Sequence, residues 1–418
     1  MVVIGGGFGG LWTVTHLKDP QIEITLIDKR NFHLFQPLLY QVATGGLSPA
    51  DIASPLRGIL SKRKDVLVKL AEMVGLDKEN KQVILRDGQI EYDSLVIATG
   101  SENFYFGNDS WIDYAPGLKT IEDAINIRNR IYSAFEQAEK ETDPELRQQL
   151  LTFVIVGGGP TGVELAGALG EITKLTLAGN FRSIDPKETR IIIVEGSHDI
   201  LASFPDKLQK AAHQSLEKLG VEVITRAYAR NIDNLGVLVE KGEETFTIGS
   251  KSVIWAAGVK ASPIGAMLTD KNDDIFHGQI KVDEHLNLNG HPEIYIIGDL
   301  AFVADENDQP LPGTAPVAMS HGRYVARAIK NRLKNKPLKK YKYFNKGNMA
   351  VIGRAAAIAD LGWSRFSGYP AWLLWLFVHL MYLVEYDNRL IVFIQWAWNY
   401  FTRNKGARLI TYDQKLKK

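Results

Sequence analysis

Val2-Val3-Ile4-Gly5-Gly6-Gly7-Phe8-Gly9-Gly10 opens the chain, and Phe153-Val154-Ile155-Val156-Gly157-Gly158-Gly159-Pro160-Thr161-Gly162 repeats its pattern. In each, a short apolar run meets G-x-G-x-x-G, through Gly5, Gly7 and Gly10 in one and Gly157, Gly159 and Gly162 in the other. The first glycine of such a set permits a tight strand-to-helix turn. The second lets backbone N–H groups approach a pyrophosphate, and the third lets helix and strand pack closely. The pyrophosphate then lies at the positive end of the helix dipole. An acidic residue at the tip of the next strand accepts hydrogen bonds from the ribose. Asp28 closes the run Ile22 to Ile27, and Glu195 closes Ile191 to Val194. Each copy goes on to an apolar run ending in small residues: Leu95-Val96-Ile97-Ala98-Thr99-Gly100 and Val253-Ile254-Trp255-Ala256-Ala257-Gly258.

A lone glycine set is weak evidence, because such turns arise in any α/β protein. Here both sets follow an apolar strand, open a helix and have an acidic partner. The span from first to last glycine is also matched, 95 residues in one copy and 101 in the other. Glu195 stands 33 residues after Gly162, beyond the usual ~20, and the polar insert Asn180 to Pro186 accounts for the excess. Gly196 and Ser197 follow Glu195, with no arginine to receive a 2′-phosphate, so NADH is favoured over NADPH. The fold class is α/β with two Rossmann-like dinucleotide-binding domains.

A chain of 418 residues calls for two or three domains. Its net charge of +1 hides an asymmetry. From Arg323 to Lys418 there are 19 Lys or Arg against 4 acidic residues, a net of +15, so the preceding 322 residues carry −14. A basic end of that size suits an anionic partner such as a membrane surface. Cysteine is absent, which excludes disulfides, thiolate metal sites and thiol catalysis. The nine histidines show no ligand-like pairing, so no metal is expected. The chain starts inside an apolar strand without a basic leader, so no signal peptide is expected.

Two dinucleotide sites in this order resemble the two-domain flavoprotein reductases, with FAD in the first site and the nicotinamide nucleotide in the second. Glu293-Ile294-Tyr295-Ile296-Ile297-Gly298-Asp299-Leu300-Ala301 is similar to that group's second FAD motif, whose Gly-Asp carboxylate binds the ribityl chain. Three further segments resemble the type II NADH:quinone oxidoreductases: Asn31 to Gly45 (NFHLFQPLLYQVATG), Gly157 to Gly167 (GGGPTGVELAG) and Gly347 to Arg354 (GNMAVIGR). The absence of cysteine agrees, since disulfide reductases and sulfide:quinone oxidoreductases of similar architecture pass electrons through thiols.

The resemblance implies non-covalent FAD held by Gly5, Gly7, Phe8, Gly9, Gly10, Asp28, Lys29, Ala98, Thr99, Gly100, Asp299 and Ala318. It implies NADH held by Gly157, Gly159, Pro160, Thr161, Gly162, Glu164, Glu195, Ala257 and Gly258. Glu164 is the catalytic candidate, expected at the helix start near the nicotinamide, with His321 a second proton-relay candidate. The family's A-Q-x-A-x-Q helix start near the quinone matches Ala315-Pro316-Val317-Ala318-Met319-Ser320. Pro316 and Ser320 replace both glutamines, and the implied quinone contacts are Ala315, Pro316, Met319 and Ser320. The implied domains are residues 1–116 and 266–340 for FAD, 117–265 for NADH, and 341–418 for membrane association or dimerisation.

The runs Tyr369 to Val384 and Leu390 to Phe401 are apolar and rich in tryptophan, yet each is shorter than the ~20 residues a spanning helix needs. Aromatics at headgroup level with nearby basic residues, such as the tail Arg403, Lys405 and Arg408, suit a helix lying in the interface. The expected setting is a peripheral homodimer on an anionic lipid surface, at the cytoplasmic face of the inner membrane if the host is bacterial. Nucleic acid is a poor partner, because the aromatics are not interleaved with the basic residues. The implied activity is FAD-dependent transfer of two electrons from NADH to a membrane quinone, without proton pumping. Two alternatives stay open: an NAD(P)H-dependent flavin reductase or oxidase with another acceptor, and a slow-cycling FAD/NADH redox sensor.

Overall fold

A computed structural model describes residues 1–269, 275–276, 278–306, 308–402 and 405–411; Arg403 of the basic tail lies outside them. The chain divides into two compact units, each assembled from three segments. The first comprises Met1–Leu34, Ala53–Glu102 and Val259–Asn345, and the second Phe35–Ile52, Asn103–Gly258 and Lys346–Lys418.

The first unit is built on a six-stranded sheet, in the order Asn287–Leu288, His291–Ile296, Leu95–Ile97, Val2–Ile4, Ile24–Asp28 and Val66–Leu70. All neighbours are parallel except the edge pair made by Asn287–Leu288 and His291–Ile296. Val3 pairs with Leu26 on one side and Val96 on the other, and all three are fully buried. Strands covered on both faces read as continuous apolar runs, as VVI and LVI do here. The helix Phe8–His16 follows the first glycine turn.

The second unit repeats the design with four parallel strands, in the order Val221–Thr225, Arg190–Glu195, Thr152–Val156 and Ser252–Trp255. The helix Pro160–Glu171 follows its glycine turn, with proline in the first turn, where a missing N–H costs no hydrogen bond. A π-helical turn, Ile172–Thr176, continues it, and the insert that displaces Glu195 lies beyond. The two-module α/β architecture read from the repeat is the observed one. In the same unit a three-stranded antiparallel sheet, Asn348–Gly353, Ala356–Asp360 and Arg365–Gly368, leads into the helices Tyr369–Tyr382 and Tyr386–Thr402. Among the described residues no helix is long and apolar enough to cross a membrane.

One contact fixes how this C-terminal sheet meets the nucleotide-binding helix. Gly167 faces Ile352, and a Cβ built on it would fall 1.5 Å from the Ile352 carbonyl oxygen. Backbone atoms on both sides leave nothing flexible to yield. Replacing Gly167 by alanine is expected to cost about 3 kcal/mol, read as a lowered thermal or urea unfolding midpoint; an unchanged midpoint would show that the sheet and helix are free to separate.

Candidate functional site

The two glycine turns have the same internal geometry. A Cβ on Gly10 would fall 1.8 Å from the Gly5 carbonyl oxygen, and one on Gly162 would fall 1.9 Å from that of Gly157. These third glycines are what allow helix and strand to touch. The middle glycines, Gly7 and Gly159, face open space with no other atom within 4 Å of a built Cβ. Bare peptide there leaves N–H groups free for a pyrophosphate.

The acidic partners are locked in matching ways. Asp28 accepts the Gly6 N–H at 2.5 Å and the Arg30 N–H at 2.7 Å, one on each oxygen. Glu195 accepts the Gly158 N–H at 2.5 Å and the Ser197 N–H at 2.6 Å. Each carboxylate keeps lone pairs for ribose hydroxyls. Burial raises the Asp28 pKa, opposed by its backbone bonds and by Lys29 and Arg30; Lys29 itself is exposed.

The other residues expected at FAD fall in the first unit with this turn. Ala98 packs on Gly5, whose built Cβ would meet the Ala98 oxygen at 2.3 Å. Thr99 has a buried hydroxyl without a partner among the described residues, and Gly100 turns in the left-handed region. Phe8 stands edge-on to His33 at 4.9 Å, and a Cβ on Gly9 would reach Ile297 at 3.1 Å. Ala318 lies 3.7 Å from a Cβ built on Gly298, beside Asp299. Asp299 accepts the Ser101 hydroxyl at 2.5 Å. Ser101 was not expected here; its position directly after Ala98-Thr99-Gly100 was the available signal. Open space at Gly7, an orphaned Thr99 hydroxyl and a positioned Asp299 fit a flavin dinucleotide.

In the second unit, Ala257 packs against Gly157, with its Cα 2.7 Å from a Cβ built there, and Gly258 lies under the Phe106 ring. Pro160 and Thr161 are exposed at the mouth of the turn. Thus the expected NADH residues gather around one turn, except Glu164.

Glu164 stands further along the helix, lining a cavity of about 140 Å³ made entirely of second-unit residues. Tyr40, Gln41, Trp372, Trp375, Trp396 and Tyr400 form much of its wall. A space of this size suits a single aromatic ring. Among the described residues, Oε1 of Glu164 accepts a long bond, 3.4 Å, from the Val351 N–H. Burial pushes its pKa up to about 8, so it is mainly protonated at neutral pH. Burial, then the charge of Glu164, also raises the Tyr40 pKa. The Tyr40 hydroxyl accepts from Gln41 at 2.9 Å, and Gln41 in turn accepts the Trp396 indole N–H at 2.8 Å. Lys405 lies 3.9 Å from Glu171 at the cavity wall. A protonated acid in an aromatic cavity can deliver a proton to a reducible ring. The sequence named Glu164 but gave no signal for its walls, which come from three distant segments.

The residues expected at the quinone begin the helix Ala315–Leu333 in the first unit. Ala315 and Pro316 are half-buried, Met319 is buried, and Ser320 accepts the Tyr341 hydroxyl at 3.1 Å. His321 does not behave as a proton relay. It is 1% exposed, its Nδ1 accepts the Gly298 N–H at 3.1 Å, and burial lowers its pKa to about 3. It stays neutral and holds the Gly298-Asp299 turn. Among the described residues no three acidic or histidine side chains are grouped to hold a metal.

The pyridine nucleotide-disulphide oxidoreductase family matches residues 1–322, and the NDH2 C-terminal domain matches residues 345–404. Type II NADH:quinone oxidoreductase NdhA of Mycobacterium tuberculosis is 42% identical, over 98% of this chain and 89% of its own. A second protein of that organism, type II NADH:quinone oxidoreductase Ndh, is 39% identical over 99% of this chain and 90% of its own. The solved structure of NDH2 from Plasmodium falciparum in complex with NADH superposes with a TM-score of 0.90. It covers 97% of this chain and 99% of its own at 21% identity, a likeness of fold.

The raised pKa of Glu164 has a signed consequence. A carboxyl group with pKa about 8 folded and about 4.5 unfolded binds more protons folded, so stability falls as pH rises between those values. Glu164→Gln removes this dependence. The midpoint difference between variant and wild type is expected to shift in the variant's favour from pH 4.5 towards 8; a difference constant across that range would mean that Glu164 titrates normally.

Proposed function

The chain belongs to the type II NADH:quinone oxidoreductases within the pyridine nucleotide-disulphide oxidoreductase family, and we propose that its proton-delivering group for the quinone is Glu164. The protein is an FAD-dependent NADH:quinone oxidoreductase that passes two electrons to quinone and pumps no protons. When bound, FAD supplies the chemistry that links the substrates, taking up hydride and releasing electrons singly or in pairs.

In this reading the Gly5–Gly10 turn, Asp28, Ala98–Gly100, Asp299 and Ala318 hold the flavin dinucleotide. The Gly157–Gly162 turn, Glu195, Ala257 and Gly258 hold NADH. Reduction of quinone to quinol consumes one proton beyond the hydride. Glu164 holds that proton on its carboxyl oxygen and releases it to a quinone oxygen, then takes another from solvent. Tyr40 and Gln41 fix the ring opposite, and Trp372, Trp375 and Trp396 exclude water. The observation that carries this reading is a mainly protonated carboxyl group lining a ring-sized aromatic cavity. It stands beside the expectation centred on Ala315, Pro316, Met319 and Ser320.

The C-terminal helices supply the membrane face of this proposal. Tyr369, Leu373, Phe377 and Met381 recur every four residues on Tyr369–Tyr382, and all are exposed, while Ala371 and Trp375 turn inward. On Tyr386–Thr402 the exposed apolar residues are Tyr386, Leu390, Ile391, Phe393, Ile394, Trp398 and Phe401. Exposed apolar rows of this kind suit the acyl boundary of a lipid surface. Peripheral attachment of a homodimer, at the cytoplasmic face if the host is bacterial, completes the reading.

Two experiments follow. In anaerobic stopped-flow, Glu164→Gln is expected to slow reoxidation of the reduced flavin by a short-chain quinone about 100-fold, far more than it slows reduction by NADH; equal slowing of both halves would contradict the assignment. In vesicle flotation with anionic lipid, the pair Phe377→Asp and Trp398→Asp is expected to release the protein into the soluble fraction, with size-exclusion chromatography reporting any second copy held by the same face. Undiminished flotation would place the attachment elsewhere.

A further inference from the structure

In the sheet of the second unit, Thr152–Val156 has Arg190–Glu195 on one side and Ser252–Trp255 on the other. The winding therefore reverses at Thr152–Val156, and a dinucleotide lies across such a switch point. With the adenosine ribose at Glu195, the nicotinamide half extends over the end of Ser252–Trp255, where Ala256, Ala257 and Gly258 follow. That end touches the glycine turn. A Cβ built on Gly157 would fall 2.6 Å from the Ala256 oxygen and 2.7 Å from the Ala257 Cα.

An aromatic loop of the same unit is fastened to this end. The Phe104 N–H donates to the Gly258 oxygen at 3.1 Å, and the Trp255 indole N–H donates to the Phe104 oxygen at 2.9 Å. Tyr105 is buried, stacks on Trp255 at 5.1 Å, and donates its hydroxyl to the Ala115 oxygen at 2.8 Å. Phe106 does not join that core; it is 59% exposed. The Asn108 N–H donates to the Tyr105 oxygen at 3.0 Å, closing a turn over Phe106 and Gly107. Their φ values are +52° and +87°, the signs of a type I′ turn, which favours asparagine or aspartate before its glycine. A bulky ring in that first position is strained, and its exposure leaves little burial to offset the strain. The ring lies against Gly258, where a built Cβ would meet it at 3.0 Å, with the Phe104 ring 4.6 Å away.

We propose that Phe106 is a positioning residue for NADH, its ring forming a wall of the nicotinamide subsite beside Gly258. Without a side chain at Gly258, the ring and the nucleotide lie side by side at the end of the strand. An exposed π surface held by a rigid turn suits a planar heteroaromatic ring. Strain at the turn is then the cost of aiming that ring, and Tyr105 and Trp255 supply the fixed base that holds it. This rests on the second module being the NADH site.

The test is calorimetry on FAD-loaded protein with two ligands: NAD⁺, which does not reduce the flavin, and ADP-ribose, which lacks the nicotinamide. Phe106→Asn removes the ring and keeps the turn, because asparagine accepts its backbone geometry. It is expected to weaken NAD⁺ binding about tenfold and to leave ADP-ribose binding unchanged. Phe106→Tyr is expected to restore NAD⁺ binding. Equal loss for both ligands, loss for neither, or no restoration by tyrosine would overturn the inference. Glu195→Ala tests the reading beneath it. If ADP-ribose binds that variant as it binds wild type, the second module is not the NADH site and the inference falls with it.

Discussion

Backbone N–H groups fix the carboxylates of Asp28 and Glu195, whereas aromatic rings enclose Glu164 and burial raises its pKa. Asp28 and Glu195 each take two peptide N–H bonds, one from the middle of a glycine turn. Glu164, two residues past such a turn, faces a long N–H bond inside a cavity walled by rings. In the proposed reading the three acids serve as two nucleotide anchors and one proton carrier, and they differ in burial and hydrogen bonding. The small residues around them are consequences. Strand, turn and helix must touch at Gly10 and Gly162 for the acids to reach the loops.

Much of this was legible in the chain. The glycine sets, the apolar strands before them and the acids after them are local patterns, and each lies where its pattern placed it. Legibility failed where neighbours come from far away in sequence. Glu164 was singled out and lies near the start of the helix Pro160–Glu171, as expected, but the cavity around it was not foreseen. Its walls come from Tyr40 and Gln41, from the sheet at Val351, and from the C-terminal helices. The two apolar runs, Tyr369 to Val384 and Leu390 to Phe401, were read as helices lying in a membrane interface, without a division of their faces. In the fold the alternation within each helix divides them, with Trp375 turned inward and Phe377 outward. His321 shows the opposite error: a histidine beside a site invites a catalytic reading, but burial and the Gly298 N–H make it a brace.

The absence of cysteine gives this arrangement its meaning. Folds of this type that act through thiols keep a redox pair in the protein between the flavin and the acceptor. With no thiol available, no cysteine pair can carry electrons between flavin and acceptor, and in the proposed reading the protein's own contribution to the second half-reaction is a shaped space and a proton. Loss of both glutamine amides at Pro316 and Ser320 leaves fewer polar anchors at the start of Ala315–Leu333. That makes the Glu164 cavity the more complete place to hold and protonate a ring.

The most direct measurement is photolabelling of the FAD-loaded, lipid-bound protein with an azido-quinone, followed by peptide mapping. The label is expected on peptides carrying Tyr40 and Gln41 or Trp372 to Tyr400, displaced by excess unlabelled quinone. Label confined to the peptide carrying Ala315, Pro316, Met319 and Ser320 would contradict the account, and would return the quinone to the start of that helix.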